Sequence, residues 1–259
     1  MHDTLDLEQF LEDGFLVVDG LLDVSEVDLL SRIARADCEL QRIAYGREDA
    51  DGQAVVLSVR NDLVDDYYSA IARSRRIVDP MTSLLGDEVY HYHHKLILKE
   101  PRVGGAWEWH QDYGYWYDNG CLYPDMGSCL IAIDRATKEN GCLQVLRGSH
   151  QMGRFNHGPI GAQTGADLER VEAAKARCEL VHVELAPGSA VMFHANLLHR
   201  SDRNTSEHPR WALICCYNTR RNDPYKVGRH PNYTPLESFD DTQLRDAGMR
   251  HAERLELPC

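Results

Sequence analysis

The sequence predicts one domain of mainly β structure with helices on its flanks, and three observations carry that reading. Between residues 89 and 217, short apolar or alternating runs are separated by turn-forming residues, the rhythm of paired strands. Before residue 86 and after residue 240 the apolar positions recur at helical spacing instead. The length, 259 residues, suits a single large domain with a real core. The expected division is helical support over 1–86, a β core over 87–218, and a tail with a last helix over 219–259.

In chain order, Leu7–Asp13 reads as a short amphipathic helix stopped by Gly14, and Phe15–Asp19 as a short strand. Ser25 with an acid three residues on, Asp28, marks a helix start, followed by Val27, Leu30, Ile33 and Ala34 on one face. The charged, glycine-bearing stretch 47–53 reads as a loop. Leu63, Tyr67, Ala70 and Ile71 outline a further helix that runs on to Leu85 and is stopped by Gly86. Strict alternation along Val89–Lys99 would place His91, His93, Lys95, Ile97 and Lys99 on one strand face. Further strands are expected over 127–134, 141–146 and 181–185, with a helix over 167–177. The long mixed segment 151–177 is of the kind that forms lids, and its His157, like His150 just before it, is a poor ligand candidate. Past Tyr217 the chain is polar and irregular until a charged helix over 240–255, expected to pack outside the core.

The chemistry concentrates in Trp107–Trp116, W-E-W-H-Q-D-Y-G-Y-W. In an extended strand, residues two apart share a face, so His110 and Asp112 would project together. His199 is the best third ligand, because His194 is too far from it to share one strand face simply. Two His and one carboxylate on one face of an octahedron form the site of non-haem iron(II) oxygenases. The H-x-D spacing alone is a weak signal; two features strengthen it. Arg210 follows His199 by 11 residues, across a polar turn-forming stretch and just before an apolar run, 211–217. A hairpin there would return Arg210 to His199, and a guanidinium fork suits bidentate pairing with a carboxylate. The Pro187-Gly188 turn feeds the segment that delivers His199.

These residues together resemble the phytanoyl-CoA dioxygenase-like family of iron(II)/2-oxoglutarate oxygenases, which includes ectoine hydroxylase. The resemblance runs from about Leu5 to Tyr217. It is strongest in W-H-Q-D at 109–112, N-G-C-L-Q-V-L-R-G-S-H at 140–150, P-G-S-A-V-M-F-H at 187–194, and the set His199, Ser201, Arg210. It implies a double-stranded β-helix, a cupin-like jelly-roll barrel, over 87–218. It implies that iron(II) is held by His110, Asp112 and His199, and that Arg210 binds the distal carboxylate of 2-oxoglutarate with the Ser201 hydroxyl helping. The strand 89–99 would line the pocket, making His93 a substrate or cosubstrate contact and Lys95 a 2-oxoglutarate contact. Trp116 matches a tryptophan at the substrate of ectoine hydroxylase, and Tyr113 joins it as a substrate contact in the aromatic wall. Asn140 is given a structural role. Related halogenases have a small residue in place of Asp112; an acid there favours hydroxylation, with dioxygen as oxidant and succinate and CO2 released.

Composition narrows the partners. The formal net charge is −13, from 41 acids against 28 bases, which argues against nucleic acid and anionic membranes. No apolar run approaches the ~20 residues of a membrane span, and the acidic N-terminus lacks a secretory signal pattern. Eight scattered Cys without C-x-x-C read as reduced thiols of a cytoplasmic protein. The substrate is expected to be a small polar molecule or natural-product intermediate; a long acyl-CoA is disfavoured because no basic patch awaits its phosphates. Desaturation, epoxidation or cyclisation on the same iron site is the alternative outcome. A non-catalytic cupin-like binding protein and a metalloenzyme without 2-oxoglutarate are the competing classes, and the triad with Arg210 weighs against both. Monomer and homodimer are both open.

Overall fold

Two antiparallel sheets face each other in the computed structural model, which describes residues 6–38, 42, 45–49, 52 and 54–257. The larger has seven strands: β1 (Phe15–Val18), β2 (Tyr45–Glu48), β3 (Ala54–Arg60), β4 (Val89–Lys99), β6 (Met126–Ala132), β11 (Ala190–His194) and β13 (Arg210–Thr219), in the order β1-β11-β6-β13-β4-β3-β2. The smaller has four: β5 (Trp107–His110), β7 (Leu143–Leu146), β10 (Leu180–Val183) and β12 (His199–Ser201), in the order β10-β7-β12-β5. From β4 to β7, and again from β10 to β13, successive strands alternate between the two sheets, as the expected jelly-roll requires. A hairpin of β8 (His157–Ile160) and β9 (Gln163–Ala166), followed by α6 (Leu168–Lys175), fills the long insertion.

β13 shows why the architecture needs a helical layer. Trp211, Leu213, Cys215 and Tyr217 belong to the cluster packed against helices, while Ala212, Ile214 and Cys216 belong to the cluster between the sheets. Both faces of the strand are apolar, so both must be covered. The cover comes from α2 (Val24–Ala36), α3 (Tyr67–Ala72), α4 (Arg75–Leu85) and α7 (Asp241–Arg254), with α1 (Leu7–Asp13) at one edge. Burying one large aliphatic side chain contributes about 1.5–3 kcal/mol, and Leu30, Ile33, Ile71 and Met81 are almost wholly buried here. The Tyr217 hydroxyl adds a bond of 2.7 Å to the Ala72 carbonyl. The last helix packs Leu244 and Ala247 into the same cluster, and Gly248 lies so close to Tyr67 that a Cβ would sit 2.9 Å from its ring.

Several local expectations are corrected. The cap of α2 is Asp23, in a reciprocal capping box with Glu26, because the helix begins one residue before Ser25. The helix expected from Leu63 to Leu85 is broken at Arg73, where Ser74 caps a second helix. Of the loop expected over 47–53, residues 47 and 48 belong to β2, and residues 50, 51 and 53 lie outside those described. Alternation along β4 is interrupted: Cys216 pairs with His93 but Tyr217 pairs with His91, so Tyr92 is an extra, bulged residue. His93, Lys95 and Ile97 stay on the inner face, whereas His91 turns to the helix side and meets His94 at 3.0 Å.

Candidate active site

His110 ends β5, and the chain then leaves the strand. Asp112 opens a one-turn helix, α5 (Asp112–Trp116), so the carboxylate reaches His110 through a strand-to-helix turn and not through strand alternation. The helical spacing places Asp112, Tyr115, Trp116 and Asn119 on the cavity wall together. His199 starts β12 and is the direct cross-strand partner of His110. The ligand atoms of His110, Asp112 and His199 lie within 4.8 Å of one another, and all three residues are buried. The Nε2 atoms of His110 and His199 stand 3.9 and 4.0 Å from Asp112 Oδ1. Each imidazole pairs its Nδ1 with a carbonyl two residues back, Glu108 at 2.7 Å and Leu197 at 2.9 Å. That fixes the tautomer and leaves Nε2 with its lone pair for a metal. Ser128 donates to Asp112 Oδ2 at 3.0 Å, orienting the carboxylate from behind.

The charge states suit cation binding. Burial lowers the pKa of both imidazoles, so they stay neutral. Burial alone would raise the Asp112 carboxyl, but neighbouring positive charge, that of Lys95 first, outweighs it and holds the group ionised well below the usual carboxylate range. Lys95 Nζ stands 3.9 Å from Asp112 Oδ1. Two neutral nitrogens and one carboxylate on one side of a cavity fit iron(II) with open positions.

The cavity has a volume of about 740 Å³ and is lined by the triad together with His93, Lys95, Trp116, Ser201 and Arg210. The expected hairpin between His199 and Arg210 is not formed. Residues 202–209 cross from the small sheet to the large one, so β12 pairs with β5 and β7 while β13 pairs with β4 and β6. Arg210 therefore enters the cavity from the opposite sheet. It is buried, its Nε finds no hydrogen-bond partner among the described residues, and burial presses its pKa down to about 10.

Trp116 is buried with its ring 5.6 Å from that of His93 and 5.3 Å from Tyr92. Tyr113 does not line the cavity: in a helix it does not share a face with Tyr115, and its hydroxyl is spent on the Leu122 carbonyl at 2.6 Å. Tyr115 lines it instead. His230 and Arg229, from the irregular tail, also line it, as do Asn61 and Asp118. His230 stacks on Tyr92 at 4.7 Å. Arg229 and His230 escape a sequence reading because the tail has no periodicity; a His within a polar stretch is the sole signal. The insertion expected to act as a lid is tied to the metal motif by hydrogen bonds. The Gln111 side chain donates to the Asn196 carbonyl and accepts from the Phe155 N–H, and the Gln111 backbone N–H donates to His157 Nε2. Gly114 makes this approach possible, since a Cβ there would fall 2.0 Å from the His157 ring. Thr164 is the insertion's contribution to the wall. His150 and His194 face each other near Phe10, away from the triad, and Asn140 closes a turn on Thr137 N–H and the Arg135 carbonyl.

The family model for phytanoyl-CoA dioxygenase (PhyH) matches residues 10–212, which holds all three ligands and Arg210. The chain belongs to the phytanoyl-CoA dioxygenase family. As a member it is a 2-oxoglutarate-dependent dioxygenase, with iron on His110, Asp112 and His199. Among its relatives, L-proline trans-4-hydroxylase of Streptomyces griseoviridis is 29% identical over 254 residues, covering 90% of this chain and 94% of that one. Ectoine dioxygenase of Nocardia farcinica is 24% identical, covering 92% and 86%. The structure of EctD from S. alaskensis with 2-oxoglutarate and 5-hydroxyectoine superposes with a TM-score of 0.75 at 23% identity, covering 90% of this chain and 86% of that one. Among the described residues no helix is long and apolar enough to cross a membrane.

Proposed function

We propose that this dioxygenase hydroxylates a small polar molecule of amino-acid character, releasing succinate and CO2. The observation that carries it is the single cavity in which the three metal ligands share the wall with a buried arginine whose Nε is unpartnered. A buried guanidinium without an anion is costly, and a dicarboxylate cosubstrate supplies the anion. Bound iron(II) with 2-oxoglutarate and dioxygen supplies the oxidising chemistry for C–H hydroxylation. Arg210 and the Ser201 hydroxyl hold the distal carboxylate of the cosubstrate. Lys95 places positive charge beside Asp112, where the 2-oxo acid end approaches. Tyr115 and Trp116 exclude water from the reacting side.

The remaining wall suits the substrate. His93 and His230 lie with ring centroids 5.3 Å apart, and the Nδ1 of each is buried without a partner among the described residues. Arg229 brings a positive charge and Asp118 a negative one. A zwitterion of amino-acid size can satisfy both charges and both imidazoles, and the likeness to a proline hydroxylase supports that class. The test is succinate release with iron(II), 2-oxoglutarate and a panel of free and N-substituted amino acids. One or more should stimulate release in the wild type and none in Asp112→Ala. Normal turnover by that variant would sink the iron assignment; stimulation by none of the panel would sink the substrate class.

A further inference from the structure

Lys99 and Arg210 are the two cations buried below a tenth of their surface among the described residues, and they are direct cross-strand partners on β4 and β13. Lys99 is wholly inaccessible, and its Nζ reaches across to the other sheet. There it donates to Ser201 Oγ at 3.0 Å and to the Asp202 carbonyl. Both acceptors are uncharged. Gly141, at φ +78°, closes the cage behind it: a Cβ there would run into the Asp202 carbonyl and stand 3.1 Å from Lys99 Nζ.

A serine hydroxyl has one proton to give, and an ammonium has no lone pair to accept it. Once Lys99 occupies a lone pair of Ser201, the hydroxyl proton must point elsewhere. Ser201 lines the cavity beside Arg210, and its hydroxyl finds no acceptor among the described residues. We propose that Lys99 is a positioning residue for the cosubstrate: by donating to Ser201 it commits that hydroxyl to donate to the same distal carboxylate that Arg210 binds, and it adds a second positive charge behind it. This rests on the reading of Arg210 and Ser201 given above. Burial, and then the nearby Arg210, press the Lys99 ammonium well below its ordinary range, which an anion between the two cations would relieve.

The test is calorimetric titration of the manganese(II)-loaded protein with two probes, 2-oxoglutarate and 2-oxobutanoate, which share the 2-oxo acid end but not the distal carboxylate. Lys99→Met should lose about 10- to 100-fold in affinity for 2-oxoglutarate, the span expected for a hydrogen bond to a charged group. Its affinity for 2-oxobutanoate should stay within about 2-fold of wild type. Ser201→Ala combined with Lys99→Met should bind no more weakly than the weaker single variant, within about 2-fold, because both act on one contact. Unchanged 2-oxoglutarate affinity in Lys99→Met, equal weakening of both probes, or additive losses in the double variant would each overturn the proposal. Should Lys99→Met not fold, Lys99→Gln keeps a donor without the charge and should show the same selective loss at about 3- to 10-fold; equal loss of both probes overturns it there too. A wild type that does not prefer 2-oxoglutarate over 2-oxobutanoate would instead sink the assignment of Arg210 itself.

Discussion

Replacing Arg210 with Met should leave the ligand-free protein as stable as before or more so, while removing its stabilisation by 2-oxoglutarate. Burial presses the guanidinium from its ordinary value down to about 10. At about 1.4 kcal/mol per pH unit, keeping it charged in the empty cavity costs about 3 kcal/mol. Met retains most of the apolar stem and removes the charge, so the metal-loaded apoprotein should gain up to about 3 kcal/mol, less what is lost in packing. A protein of this size shifts its melting midpoint by about 2–4 °C per kcal/mol, so the rise is at most about 12 °C. Cosubstrate at 100 times its Kd stabilises the wild type by about 2.7 kcal/mol. Removing one partner of a buried charge pair costs about 2–5 kcal/mol of binding, so the same concentration should stabilise the variant by less than about 1 kcal/mol. Thermal melts under argon, with and without 2-oxoglutarate, read both effects. A ligand-free variant destabilised by several kcal/mol would show that the guanidinium is a structural element; equal stabilisation by 2-oxoglutarate would show that it does not bind the cosubstrate.

Three other outcomes follow from the site. Ser128→Ala removes the hydroxyl that orients Asp112 and should weaken metal binding about 10- to 100-fold, measured by competition with a chelator. Gly114→Ala drives a methyl into the His157 ring; it should destabilise the protein by about 1–3 kcal/mol and expose the 152–166 segment to limited proteolysis. Burial holds His91 and His94 neutral in the folded state, each lowered from 6.5 to about 3. The unfolded chain takes up their protons below about pH 6.5, so stability is full above that value and falls with pH by about 1.4 kcal/mol per pH unit for each imidazole. Urea midpoints at pH 7 and pH 5 should differ accordingly, and His91→Phe with His94→Leu should remove about 3 kcal/mol per pH unit of that slope; an unchanged slope refutes the assignment.

The metal centre was legible because its chemistry restricts residue types and two of its ligands, His110 and Asp112, stand only two residues apart. His110, Asp112 and His199 were all found from the sequence, yet the geometry assumed for them was not the one used. A strand was expected through Asp112; the chain turns into a helix there, which moves Tyr113 into the core and brings Tyr115 to the wall. Spacing placed Arg210 near His199, and it does line the same cavity, but the crossing between sheets depends on long-range pairing that no local pattern encodes. The bulge at Tyr92 is of the same kind: one extra residue reverses the face of His91, and alternation gives no warning of it. Alternation put Lys99 on one face with His93 and Lys95, but only the meeting of the two sheets places it on Ser201. His230 lies in a stretch whose path is set by side-chain contacts, such as Tyr233 on Glu88, and not by a repeat.

The measurement closest to the centre of these conclusions is the visible spectrum of the protein under argon with iron(II) and 2-oxoglutarate. Chelation of the 2-oxo acid end at an iron held by His110, Asp112 and His199 should produce a charge-transfer band that is absent without either component and absent in Asp112→Ala. Folded, iron-treated wild-type protein that gives no band would contradict the assignment of this cavity as an iron and 2-oxoglutarate site.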